Sequence, residues 1–491
     1  MNRKWGIGGV LMVFISWAAY GQLDPNAAPD FVRQKGKMNV LFIIADDLRP
    51  SLGYYGDPIV KSPNIDQLAS KSIVFKNAFA QQALCGPSRT SFLTSRRPDI
   101  TRLFDHSSYW RVQAGNYTTL PQYLKMHGYL TLSVGKVFHP GIVSNHTDDY
   151  PYSWSIPPFH PSTQKYKNAK VCKGPDGQKH ANLVCPVDVE EMPEHTLPDI
   201  QSTEEAIRLL KKLKGTENPF LLAVGYHKPH IPLKYPQVLI RQSYFAAVSY
   251  MDTQVGQLLN ALDEQELANN TIVIFTADHG WSLGEHGEWA KYSNFDVATR
   301  VPLMFYVPGK TAAFPHPGQR MFPFINSFTD EVRSLPPGLM RDVNVELVDL
   351  FPTLCEILKL PLPPVCPPSS FHVELCTEGN SVAYYLNPNA SSRNRQLFVY
   401  SQYPRPADKP QMNSDLPLLK DIHIMGYSIR CDGYRYTEWV GYNASTFSAN
   451  FSAIHAGELY LHKTDPGEDN NLYNNIAFAE VVQKLSALLK K

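Results

Sequence analysis

The chain has 491 residues, 43% of them hydrophobic and 19% charged, and a formal net charge of +1. That composition fits a core-forming protein and excludes a disordered or low-complexity chain. The near-zero charge excludes a basic nucleic-acid footprint at neutral pH, although sixteen protonated histidines added to +1 would give +17 in an acidic compartment, which attracts polyanions.

At the N-terminus, Arg3 and Lys4 precede an apolar run over 7–19, and Ala19-Tyr20-Gly21 supplies small residues for cleavage. This predicts a secretory signal over 1–21, too short for a membrane span, followed by a leader over 22–37. Behind such a signal, the Asn-x-Ser/Thr sequons at Asn116, Asn145, Asn269, Asn389, Asn443 and Asn450 are expected glycosylation sites. Seven cysteines suit an oxidising compartment. Cys172 and Cys185 flank one loop, Cys366 and Cys376 another, and both spacings suit short-range disulfides, although spacing does not fix connectivity. Cys355 and Cys431 remain as buried thiols or a third pair.

Residues 38–45 form an apolar run typical of a central strand in a parallel sheet. It ends in Asp46-Asp47, at the carboxyl end where open α/β sheets bind ligands. Two carboxylates there suit a hard cation; a helix capped by Asp is the plainer alternative. A helix is expected from about 62. The apolar-rich stretch 73–84 leads into Cys85-Gly86-Pro87-Ser88-Arg89-Thr90-Ser91-Phe92-Leu93-Thr94-Ser95-Arg96-Arg97, read as a helix with Pro87 in its first turn and Ser88 or Thr90 capping it.

Further on, 117–127 reads as a helix and 129–134 as a strand tipped by Gly135-Lys136-Val137-Phe138-His139. A Lys and a His three apart beyond a strand end can reach one anion together. Residues 140–200, poor in periodicity, are expected to form a long loop region walling the site. A helix over 201–213 precedes a strand over 219–226, tipped by His227-Lys228-Pro229-His230. An amphipathic helix is expected over 240–262, and a strand over 271–277 ends in Asp278-His279-Gly280. By pattern alone, Glu288 and Lys291 read as an exposed helix pair. Then come a strand over 301–308, a helix over 345–358, a connector over 387–395 and a β-rich remainder with strands at 397–401, 426–429 and 434–442.

Cys85-x-Pro87-x-Arg89 with Leu93, Thr94 and Arg96 resembles the sulfatase signature. Residues 63–69, Gly135-Lys136-x-x-His139, His227-x-Pro229-His230, 284–291, 348–354 and 458–472 resemble further segments of that family in the same order. Residues 97–99, 108–112, 226–232 and 289–296 are similar to its iduronate-specific branch. The resemblance covers nearly the whole chain. It implies an α/β fold of the alkaline-phosphatase-like type, with a large, mostly parallel sheet covered by helices on both faces over 38–388. A smaller α+β subdomain over 389–491 follows.

The resemblance also implies a mechanism. Cys85 would be oxidised to formylglycine by the formylglycine-generating enzyme. One Ca²⁺ would be held by Asp46, Asp47, Asp278 and His279 together with residue 85. Arg89, Lys136, His139, His230 and Lys291 would be catalytic, and Lys136, His230, Lys291 and Trp281 would bind substrate, with His227 a weaker candidate. One hydroxyl of the formylglycine hydrate would attack sulfur while His230 or Lys291 protonates the leaving oxygen. The other would expel sulfate as His139 takes its proton. Terminal 2-O-sulfated iduronate of heparan and dermatan sulfate would be the substrate, and the lysosome the compartment. A phosphate or phosphonate ester hydrolase of the same superfamily and an inactive variant are the alternatives.

Three departures from the family stand out. Ser95 occupies a position where Gly is usual, and His279 one where many members have Asn, although the iduronate-specific branch is similar in having His. Pro236 leads within a few residues to Arg241-Gln242, where the family has a much longer segment. The last departure predicts a missing pocket wall or layer, with poor secretion and weak activity.

Overall fold

The structure, a computed structural model, describes residues 37–236, 243–316, 318–327, 338–391, 398–431 and 433–490. The expected signal peptide, all but residue 37 of the expected leader, and the 237–242 junction lie outside the described residues.

Seven strands build the main sheet: β1 (Asn39–Asp46), β2 (Ile73–Phe79), β3 (Leu130–Gly135), β4 (Phe220–Pro229), β5 (Thr271–Ala277), β6 (Arg300–Tyr306) and β7 (Leu339–Glu346). Their order is β7-β2-β6-β5-β1-β4-β3. All pairings are parallel except those of β6, which runs antiparallel to β5 and β2. Every residue of β1, β4 and β5 is buried, as their unbroken apolar runs require of strands covered on both faces. Two groups of helices supply the cover. In one, α1 (Pro63–Ser70), α4 (Pro198–Leu213) and α5 (Ser243–Glu264) pack together; in the other, α2 (Cys85–Thr94) packs with α3 (Leu120–Met126) and α6 (Leu350–Ile357).

The differences from expectation have local causes. Helix α3 starts only at Leu120 because Thr119 and Gln122 form a capping box there. Val345 and Glu346 complete β7, so the helix expected from 345 is confined to Leu350–Ile357 after one 3-10 turn. Ser88 caps nothing: its hydroxyl donates to the carbonyl of Asp278. Ser95 sits in the left-handed region at φ 53°, the reason Gly suits this position. Its hydroxyl donates to the Val348 carbonyl and accepts from the Gly379 N–H, which anchors the conformation.

The C-terminal part forms a separate four-stranded antiparallel sheet: β8 (Val399–Arg405), β9 (Ile424–Cys431), β10 (Tyr434–Asn443) and β11 (Ser448–Leu461). Helix α7 (Ala479–Leu489) packs on it. Neither the full length of β11 nor α7 was expected. Disulfides join Cys172 to Cys185 and Cys366 to Cys376, while Cys85, Cys355 and Cys431 are buried thiols. All six sequon asparagines are exposed.

Candidate active site

Four strand ends converge on one point. Successive residues of a strand face opposite ways, so Asp46 and Asp47 share a site only because the chain leaves extended geometry between them. Asp47 takes φ 64°, tolerated by Asp better than by most residues, and the β1–β4 register shifts at the same place. Strand β5 delivers Asp278 and His279, β3 delivers Lys136, and β4 ends at His230. Gly225 on β4 is required here, since a Cβ would collide with the Lys136 carbonyl.

Cys85 is the first residue of α2 and is buried, at the helix end where backbone N–H groups favour a negative charge. Its Sγ lies 3.4 Å from Asp46 Oδ1, 3.9 Å from Asp47 Oδ1 and 3.4 Å from His279 Nε2. Lys291 Nζ donates to Cys85 Sγ at 2.8 Å and to Asp47 Oδ1 at 2.7 Å. It is therefore a buried member of the cluster and not the exposed helical residue its pattern suggested. One turn along α2, Arg89 donates to Asp278 Oδ2 at 2.9 Å, to Asp46 Oδ1 at 3.3 Å and to the Lys136 carbonyl. Lys136 Nζ meets Asp46 Oδ2 at 2.5 Å. Three carboxylates thus face three cations with almost no water.

Burial would raise the Asp46 carboxyl, but Lys136, His230, Arg89 and Lys291 hold it well below the usual range. Asp47 goes the other way, pushed up to about 7 by burial, with Asp46 and Asp278 adding to the push and Lys291 opposing it. Burial also pushes the Cys85 thiol up, so the unmodified thiol is a poor nucleophile. Burial would lower Lys291, but Asp47 and Cys85 hold it well above its ordinary value.

His139, His230 and His279 are each pushed below the ordinary imidazole value, chiefly by burial. His279 is pushed down to about 4 by burial, with Lys291 adding to it; its Nδ1 faces the Gly280 carbonyl at 3.0 Å, leaving Nε2 as a ligand. His230 places Nδ1 on the Ile231 carbonyl at 2.5 Å and Nε2 3.8 Å from Asp47 Oδ2. His139 is lowered by burial and by Lys136, and its buried Nδ1 has no partner. His227 is bound instead to Asp199, Nδ1 to Oδ1 at 3.3 Å.

The donor set suits a divalent cation. Ligand atoms of Asp46, Cys85, Asp278 and His279 all lie within 4.8 Å of one another, and Asp47 Oδ2 is buried with no hydrogen-bond partner among the described residues. A buried carboxylate oxygen in that state calls for positive charge.

A cavity of about 320 Å³ opens beside the cluster, lined by Asp46, Lys136, His139 and His230. Parts of the expected loop region wall it, through residues 163–167 and 192–199. Trp281 is not on that wall: it is buried beneath Lys291, whose Nζ lies 5.8 Å from the ring centroid. Sequence reasoning missed His106, which stacks on His139, and gave no role to Asp199, Lys228 and Lys234. For Lys228 the signal was present, since it stands inside the His227–His230 tip; His106 lies in no strand-tip motif.

The sulfatase family profile matches residues 38–360. Iduronate 2-sulfatase from Homo sapiens is 56% identical, over 91% of this chain and 93% of its own. The chain belongs to the sulfatase family. It is therefore a sulfate-ester hydrolase. The Mus musculus iduronate 2-sulfatase is 57% identical over 89% of this chain and 91% of its own. Among solved structures, one bound to its substrate D-glucosamine-2-N,6-O-disulfate covers 92% of this sulfatase and 97% of itself, with TM-score 0.63 and 19% identity. Such neighbours share the expected alkaline-phosphatase-like fold. The alignment with the human protein runs over 512 positions but takes up 91% of 491 residues, about 447, so about 65 positions face gaps in this chain.

Proposed function

We propose that this sulfatase removes the 2-O-sulfate from terminal iduronate units of heparan and dermatan sulfate fragments in the lysosome. Residue 85 would act as formylglycine, made by the formylglycine-generating enzyme, with one Ca²⁺ on Asp46, Asp47, Asp278 and His279. The relatives at 56% and 57% identity, both iduronate 2-sulfatases, support the substrate. The observation that carries the catalytic reading is Lys291 Nζ set between Asp47 and Cys85 at 2.7 and 2.8 Å. It ties the nucleophile position, the acidic cluster and a buried cation into one unit.

When bound, Ca²⁺ supplies Lewis-acid charge that offsets the charge of the sulfate. Formylglycine supplies an aldehyde hydrate, a nucleophile with the second hydroxyl that serine lacks. The chain's own groups do the rest. Arg89, Lys136 and Lys291 keep fixed positive charge where the sulfate oxygens gather charge in the transition state, with no water to reorganise. His230, its Nδ1 committed to Ile231, takes a proton at Nε2 when an anion fills the site and passes it to the leaving sugar oxygen. His139, held neutral, receives a proton at its unpaired Nδ1. The cavity lined by residues 163–167 and 192–199 receives the sugar.

Two sulfated disaccharides test the substrate, one with a terminal 2-O-sulfated iduronate and one with a terminal 6-O-sulfated glucosamine. Sulfate is expected from the first. Faster release from the second would overturn the assignment.

A further inference from the structure

The same cavity has a second charged feature, away from the carboxylate cluster. Lys228 and Lys234 both line it, and they are only 8% and 4% exposed. A buried ammonium ordinarily has a carboxylate partner. Among the described residues neither lysine makes an ion pair. Lys228 Nζ donates to the His230 carbonyl at 3.0 Å, one acceptor for three N–H groups. Lys234 Nζ donates to the carbonyls of Lys167 and Ala169 at 2.7 and 3.3 Å.

The nearest acid is already committed. Asp199 accepts the backbone N–H groups of His227 and Lys228 and faces His227 Nδ1. Burial lowers Lys228, Asp199, Asp46 and Asp47 oppose this, and Lys234 adds to the lowering, so the two ammonium groups feel each other. The adjacent residues 237–242 contain no Asp or Glu. Two buried like charges beside an open cavity need an anion to balance them.

We propose that Lys228 and Lys234 form a second anion subsite, which takes a sulfate or carboxylate on the sugar next to the one whose ester is cleaved. This rests on the acidic-oligosaccharide reading above. The His230 carbonyl holds Lys228 while the His230 imidazole faces Asp47, so the subsite and the reacting centre are tied through one residue.

The test uses three disaccharides with the same terminal 2-O-sulfated iduronate, whose second sugar carries a sulfate, a carboxylate or a hydroxyl at one position. Charge-assisted hydrogen bonds predict a wild-type kcat/KM about tenfold higher for the charged forms. The form with the larger ratio identifies the preferred anion. In Lys228→Gln, and more so in the double variant with Lys234→Gln, that ratio falls towards one, while Lys228→Arg keeps most of it. Each ratio is measured within one protein, so loss of folded material cancels. Equal wild-type rates for all three, or a ratio that survives in the double variant, would overturn the subsite. If the wild type cleaves none of them, the substrate assignment fails instead. The subsite is then read from equilibrium binding of the same disaccharides, where equal affinities would overturn it.

Discussion

His106 and His139 stack ring on ring, with centroids 4.2 Å apart and planes 16° from parallel. His106 Nδ1 also lies 2.8 Å from where a Cβ on Gly86 would stand. One imidazole thus meets both the start of the nucleophile helix and the imidazole assigned as proton acceptor. His106 is a positioning residue in this account. His106→Ala should lower kcat by up to about a hundredfold, the scale of a small misplacement in an active site, with KM little changed. His106→Phe should restore most of the rate by restoring the stack. A fall in KM and kcat together, or no rescue by Phe, would point to a purely structural role.

The contribution of Asp252 to stability should rise as the medium turns acidic. Asp252 is buried and accepts from the Asn64 side chain, the Ile65 N–H and Ser327 Oγ. Burial pushes its carboxyl up to about 7, with Asp66 adding to it. Unfolded, it titrates near about 3.9. Between those values the native state holds a proton that the unfolded chain has lost, so this group's contribution grows as pH falls through 7. Glu468 acts oppositely: Arg435 and His462 overcome burial and hold it at about 2, so its contribution is lost below the ordinary Glu range. The melting-temperature gap between pH 5 and pH 7.5 should therefore be less favourable to pH 5 in Asp252→Asn than in the wild type. An unchanged gap in that variant would remove Asp252 from the explanation.

Arg97 grips Glu346 with two parallel bonds of 2.5 Å, and Glu346 also accepts the Tyr400 N–H from the C-terminal sheet. Arg97→Ala would strand a carboxylate that is almost fully buried. A loss of about 3–5 kcal/mol in urea unfolding is expected; a loss within the range of an ordinary surface ion pair, under about 1 kcal/mol, would contradict the pair's role in joining the two sheets.

Much of this was legible in the sequence, because the strands are buried on both faces and read as unbroken apolar runs. The 271–277 run matches β5 residue for residue. The polar residues closing such runs come together at one point, so Asp46, Asp47, Lys136, His230, Asp278 and His279 could be named in advance as candidates. Lys291 needed the family pattern, because periodicity alone put it on an exposed helix. Trp281, expected to bind substrate, lies under Lys291. Lys234 and His106 gain their meaning from long-range contacts that no local pattern encodes.

About 65 aligned positions face gaps in this chain, and a missing segment is expected from the sequence at the short 236–241 connection. Apolar surface that a missing layer should cover costs about 25 cal/mol per Å², and a few hundred Å² would rival the roughly 5–15 kcal/mol stability of a domain. Restoring a family segment there should raise both the secreted yield and the melting temperature. Equal values with and without it would show the segment to be dispensable.

The most direct test of the catalytic account is mass spectrometry of the tryptic peptide bearing residue 85, from protein made in a eukaryotic secretory host and shown to release sulfate. The account predicts an aldehyde in place of the thiol, and loss of turnover in Cys85→Ala with an unchanged melting temperature. Finding only cysteine at residue 85 in protein that releases sulfate would contradict it.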